Sequence, residues 1–127
     1  MMPVMSVQSE PPRIKLRLEF GDELVLGPGK AELLEGIAQL GSISAAGRRM
    51  KMSYKRAWSL VEEMNAAFRE PLVDSSRGGP GGGGAALTTA GQTVLAHFRA
   101  LEVLVRQQGQ VQIDGIGGML ADMPDGK

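Results

Sequence analysis

Between Gly47 and Trp58 the chain carries Arg48, Arg49, Lys51, Lys55 and Arg56 and not one acidic residue. Cations clustered in this way have an obvious chemistry, the displacement of counterions from a polyanion. The acids lie to either side, Glu32 and Glu35 before the run and Glu62 and Glu63 after it, with three Asp near the end. The formal net charge of zero is therefore no argument against nucleic acid, which needs a local basic face and not a basic average. The same run reads equally as a solvated helix surface. Charge alone leaves both readings open.

Other chemistries find little support. There is no cysteine, which removes disulfides, thiolate metal sites and cysteine nucleophiles and fits a reducing cytoplasm. His97 is the sole histidine and has no companion ligands or catalytic partners in sequence. It reads as a surface or interface residue. Glu62 and Glu63 are adjacent and so point to different parts of a helix surface; they make no catalytic dyad. The expectation is a protein without catalytic residues, metal or cofactor. The glycine-rich run Gly78, Gly79, Pro80, Gly81, Gly82, Gly83, Gly84 is not a phosphate-binding loop of the P-loop kind, because no Lys followed by Ser or Thr comes after it. Tyr54 and Trp58 are four apart on one helix face. Stacking on bases is open to such a pair, but packing is the stronger reading for Trp58.

The elements that would position these residues follow from periodicity and punctuation. Residues 1–12 are polar and contain Pro3, Pro11 and Pro12, the composition of a disordered start. Arg13 to Phe20 alternates polar and apolar, a half-buried strand. Gly21, Asp22 and Glu23 make a turn, and Leu24 to Leu26 returns as the second strand of a hairpin. Pro28 suits a first helical position. Leu33, Leu34, Ile37 and Leu40 keep helical spacing, and Gly41 is placed to stop that helix. Ser42 caps a short helix to about Met50, and Ser53 caps a longer one to about Phe68, with Ala57, Val61, Met64 and Phe68 as its apolar stripe. Leu72 to Ser75 and Ala85 to Leu87 are extended candidates on either side of the glycine run, a hairpin with a long tip. Thr88 or Thr89 caps a last helix to about Gln107. Its Val94, Phe98, Leu101 and Val105 form a coiled-coil-like seam. Beyond Gly109 no clear pattern remains, and the rest reads as a tail. There is no internal repeat.

This order, helix, short turn, helix, glycine-rich hairpin, helix, is that of a winged helix-turn-helix. Ala45 and Ala46 would let the second helix cross closely, with Lys51 and Met52 as the turn. Ser53, Tyr54, Lys55 and Arg56 then open the helix whose start meets base edges, where Lys and Arg donate to guanine and Ser and Tyr reach phosphate or base. Arg48, Arg49 and Lys51 are the phosphate candidates, and Ser42 is a further DNA-binding candidate. Arg77, at the base of a wing made of Gly78, Gly79, Gly81, Gly82, Gly83 and Gly84, would touch phosphate or minor groove.

The stretches Gly41-Ser42-Ile43-Ser44-Ala45-Ala46, Met52 to Trp58, Glu63-Met64-Asn65, Gly78 to Ala85, Leu87-Thr88 and Gly91 together resemble the N-terminal DNA-binding domain of the ModE-type molybdate-responsive regulators, a winged helix-turn-helix akin to the LysR type. The resemblance covers roughly Pro28 to Val105. It implies a homodimer on palindromic operators near genes of molybdate uptake and molybdoenzymes. In full-length members C-terminal β-barrels bind molybdate. After Gln107 this chain has only a short stretch, too short for such a barrel, so molybdate binding is not among the expectations carried over to it.

The expected fold is mainly α with small β: disordered residues 1–12, a winged helix-turn-helix over 13–107 with an N-terminal β-hairpin and a C-terminal dimerisation helix, and a tail over 108–127. The dimer interface would be Val94, Phe98, Leu101 and Val105. The expected function is sequence-specific binding of double-stranded operator DNA. The start lacks a signal peptide and no stretch is apolar for long enough to span a bilayer, so a cytoplasmic, membrane-free protein is expected. Two other functions fit the same residues: a protein–protein adaptor that kept the fold, and a small oxyanion-binding protein holding its ion at the helix beginning near Thr88.

Overall fold

The computed structural model describes residues 11–75 and 84–121. The chain divides into two compact units, one of residues 15–100 and one of residues 1–14 and 101–127. Arg77 and Gly78 to Gly83 of the expected wing lie outside the described residues, as do residues 1–10.

In the larger unit, β1 (Leu18–Phe20) and β2 (Leu24–Leu26) form an antiparallel hairpin pairing Leu18 with Leu26 and Phe20 with Leu24. The turn uses Gly21 at φ 57°. The alternation expected from Arg13 onward persists in burial, with Ile14, Leu16 and Leu18 half-buried and their neighbours exposed. Paired strand is confined to three residues because β2 runs out at Gly27, where a helix begins. Helix α1 (Pro28–Leu40) has Pro28 in its first turn and ends on Gly41, whose φ of 71° is the left-handed cap that glycine adopts freely. Its N–H closes on the Ile37 carbonyl at 2.8 Å.

Two short caps then set the next helices. The Ser42 hydroxyl accepts from the Ala45 N–H at 3.0 Å and starts α2 (Ile43–Arg49). The Ser53 hydroxyl accepts from the Arg56 N–H at 3.0 Å and starts α3 (Tyr54–Ala67). Small residues mark the close approaches of α2 to both of its neighbours. Ala46 turns toward α1, where a Cβ on Gly36 would sit 2.9 Å from its own Cβ, and it is Gly47 that meets Ala57 of α3, at 3.0 Å for an added Cβ. The helix faces fix this: Ala46 and Gly47 are one residue, or about 100°, apart, so neighbouring small residues serve different partners.

Strands β3 (Val73–Asp74) and β4 (Ala86–Leu87) pair antiparallel, Val73 with Leu87. The core joins Leu33, Leu34 and Ile37 of α1, Ile43 and Ala46 of α2, Ala57, Leu60, Val61 and Met64 of α3, Val73 and Leu87 of this small sheet, and Leu72 and Ala85 just before its two strands. A second cluster holds Leu24, Leu26, Ala31 and Phe98. Helix α4 (Thr89–Gln108) is capped by Thr88, whose hydroxyl accepts from the Gly91 N–H at 3.0 Å and donates to the Pro71 carbonyl at 2.7 Å.

Phe98 requires a correction. It was expected in a seam between subunits, yet it is 1% exposed within one chain, packed with Leu24, Leu26 and Ala31. Val94, half-buried, packs against the same core. The spacing of the stripe was right, but its first half is spent inside the subunit.

In the smaller unit, α4 residues from Leu101 on and α5 (Gln110–Gly117) are helical. The stretch expected as a patternless tail is thus a helix over 110–117, supported by the Gln110 amide donating to Asp114 at 2.8 Å one turn away. None of its residues is buried, so hydrophobic periodicity had no core face to report. Among the described residues no helix is long and apolar enough to cross a membrane.

Candidate nucleic-acid interface

Helix α3 buries Ala57, Leu60, Val61 and Met64. At about 100° per residue, the side opposite that face carries Lys55 and, one turn later, Ser59. Both are exposed. Tyr54 and Trp58 occupy one flank and Arg56 the other. The start of α3 therefore offers an outward Lys, a Ser beyond it and aromatic and guanidinium groups to the sides. Ser59 was not singled out in sequence; its spacing of four from Lys55 was the available signal.

The turn before α3 is a Schellman-type stop. The Met52 N–H donates to the Gly47 carbonyl and the Lys51 N–H to that of Arg48, both at 3.0 Å. Lys51 takes the left-handed position, at φ 61°, the one non-glycine residue with positive φ among those described. Its side chain is exposed. A charged residue in a place that favours glycine is a local departure from backbone preference.

The basic candidates separate. Arg48, Lys51, Lys55 and Arg56 are exposed around the turn and the start of α3, Arg48 leaning on the Ser44 hydroxyl at 3.0 Å. Arg49 is exposed as well but turns toward α1. Its guanidinium donates to Gln39 Oε1 at 2.8 Å, in a cleft lined by Glu32, Glu35, Gln39 and Arg99. There Arg99 bridges to Glu35 at 2.6 Å. Arg49 is thus a strut between α2 and α1, in a setting whose acids suit a phosphate poorly. Ser42 and Ser53 both use their hydroxyl oxygens as helix caps.

The wing base is tied to this surface. Ser42, Ser44, Tyr54, Trp58, Ser75 and Gly84 line a cleft of about 190 Å³. The Ala85 N–H donates to the Gly41 carbonyl at 3.0 Å. Asn65 of α3 holds the first strand: its amide donates to the Val73 carbonyl at 3.1 Å, and its oxygen accepts from the N–H groups of Leu72 and Val73 at 2.8 and 3.1 Å. Trp58 packs against the core, edge-on to Tyr54 with ring centroids 6.1 Å apart, as the packing reading had it; its ring N–H has no partner among the described residues. His97 is exposed. Among the described residues no set of acids and His converges in a way that could hold a metal ion.

The profile of the bacterial regulatory helix-turn-helix proteins of the lysR family matches residues 29–92. The transcriptional regulator ModE of Haemophilus influenzae is 39% identical over 89 residues, 70% of this chain and 35% of that protein. The DNA-binding transcriptional dual regulator ModE of Escherichia coli K12 is 37% identical over 101 residues, 80% of this chain and 38% of that one. The molybdenum-pterin-binding protein MopA of Rhodobacter capsulatus is 44% identical over 77 residues, 61% of this chain and 29% of that protein. The chain thus spans about a third of the length of these relatives. Among solved structures, full-length CbnR complexed with its target DNA superposes with a TM-score of 0.51 at 22% identity, over 66% of this chain and 27% of that one, a likeness of fold. With the capped helix pair, the strand-paired wing base and a profile match running through all of them, the chain belongs to the bacterial regulatory helix-turn-helix proteins of the lysR family.

Proposed function

We propose that this chain binds operator DNA as a transcription regulator of molybdate-uptake or molybdoenzyme genes. The observation that carries the reading is Lys55, exposed on the side of α3 opposite its core face, with Arg48, Lys51 and Arg56 exposed around it. Lys55 would read a base edge in the major groove, Tyr54 and Ser59 would meet base or phosphate beside it, and Arg48 and Lys51 would neutralise phosphates. The ModE relatives support the target genes. Titration of promoter duplexes from molybdate-transport genes against random duplex, over a series of salt concentrations, tests it. The expected result is preference for the promoter and a logarithm of the binding constant that falls by about 0.9 per phosphate neutralised. A slope near zero would leave the protein–protein adaptor as the better account.

The active species is a homodimer in this reading. The smaller unit exposes Val103, Leu104, Val111, Ile116, Met119 and Leu120, apolar surface of the kind that marks a protein interface. Leu101 and Val105, half-buried, would contribute from the same helix. Such a dimer would carry two copies of α3, one for each half-site of an operator.

A further inference from the structure

Residues two apart on a helix point roughly 200° apart. Tyr54 and Trp58 of α3 therefore face one way, toward the wing base, while Met52, Arg56 and Leu60 border a different cleft. That cleft, of about 310 Å³, is closed on its other sides by Arg17 of the hairpin and by Gly27 to Lys30 at the start of α1. Three cations and no carboxylate line it. Lys30 is already committed: its side chain is 13% exposed, its ammonium 3.0 Å from Glu63 and 2.8 Å from the Val25 carbonyl. It is a strut that holds α3 to α1. Arg17 and Arg56 are the cations left at the rim. Arg17 touches Glu19 at 2.9 Å, but the pair is 65% and 60% exposed, and exposed pairs of this kind contribute little. A phosphate could take Arg17 from Glu19 at small cost.

A helix about 10–12 Å across fills a major groove about 12 Å wide, so one sugar-phosphate strand runs along each of its flanks. The wing base stands on the Tyr54 flank. We propose that Arg17 of the N-terminal hairpin, with Arg56 beside it, grips the DNA backbone on the opposite flank of α3. This rests on the DNA reading above and adds to it a contact from an element outside the helix-turn-helix and the wing. Arg56 thereby becomes a backbone contact, leaving Lys55 as the reader of bases.

The test is fluorescence anisotropy with the full chain and a duplex enriched by the wild type from a random-sequence pool, repeated over a salt series. Arg17→Ala should flatten the plot of log K against log salt by about 0.9 per protomer and weaken enriched and random duplexes by the same factor. Arg17→Lys should keep the wild-type slope. Glu19→Gln, which removes the intrachain partner alone, should bind at least as tightly as the wild type. A wild-type slope for Arg17→Ala overturns the inference. So does a loss in Glu19→Gln equal to that in Arg17→Ala, since the ion pair and not the DNA would then be responsible. If the wild type binds no duplex, the DNA reading itself fails, and the inference falls with it.

Discussion

Asn65 and Val73 exchange two hydrogen bonds, the side-chain amide of one standing where a strand neighbour of the other would stand. A helix residue thereby completes the edge of β3 and fixes where the wing leaves the core. Val73 is buried, so its polar groups have no water to fall back on. Asn65→Ala should cost about 1–3 kcal/mol. Asn65→Asp keeps the acceptor for the two N–H groups but turns a lone pair to the Val73 carbonyl, and should recover only part of the loss. Urea denaturation measures both; equal stability of all three chains would contradict the assignment.

Lys51 offers a way to separate folding from binding. It occupies a left-handed turn position, where an L-residue is disfavoured by roughly 1–2 kcal/mol and glycine is not. Glycine gives back about 0.4–1 kcal/mol through its looser unfolded chain. Lys51→Gly should therefore raise stability slightly, by at most about 1.6 kcal/mol, while lowering duplex affinity and the salt slope through loss of one cation. A variant both less stable and unchanged in binding would show that neither role is right.

Arg48 and Arg49 are neighbours with different surroundings. Arg48→Ala should weaken all duplexes evenly and reduce the salt slope by about 0.9 per protomer. Arg49→Ala should leave the slope alone, because its guanidinium lines a cleft with Glu32 and Glu35, whose charges oppose a phosphate. Lys55→Ala should instead cost about 1–3 kcal/mol on a preferred site and relax sequence preference. Anisotropy on preferred and random duplexes distinguishes the three; identical profiles for Arg48 and Arg49 variants would refute the division.

The revised placement of the apolar residues on α4 and α5 makes a dimer prediction sharper than sequence spacing allowed. Leu104→Glu or Ile116→Glu should give a folded chain that no longer dimerises, since both side chains are exposed. Phe98→Ala should instead lose about 3–5 kcal/mol of stability by leaving a core cavity. Sedimentation at micromolar concentration and thermal melts separate these effects. A wild type that sediments as a monomer would sink the dimer.

What sequence could and could not reveal divides along the reach of each interaction. Gly41, Ser42, Ser53 and Thr88 were legible because a cap acts on groups within three or four residues, and the structure puts each hydroxyl or left-handed turn where punctuation placed it. The stripe of α4 was legible as a stripe, but Phe98 finds Leu24 and Leu26, more than seventy residues away, and spacing names no partner. That Arg49 meets Gln39, ten residues back, is likewise a contact that spacing does not name. Asn65 was visible only as part of a family resemblance; that it binds Leu72 and Val73 requires the fold. Helix α5 escaped because it buries nothing and carries glycines at 115 and 117, which lower helix propensity.

The wing is clamped at its two roots: by Asn65 to Val73 on the outgoing side, and by the Ala85 N–H to the Gly41 carbonyl and Thr88 to Pro71 on the returning side. Such an arrangement is modular. Loop-closure entropy grows slowly, by about 0.6 kcal/mol for each doubling of length, so the segment between Ser75 and Gly84 can be shortened, lengthened or exchanged with little penalty to the domain beneath it. Evolution could thus alter the length of this segment without renegotiating the core, and an engineer could graft a reporter or a foreign loop at the same two posts.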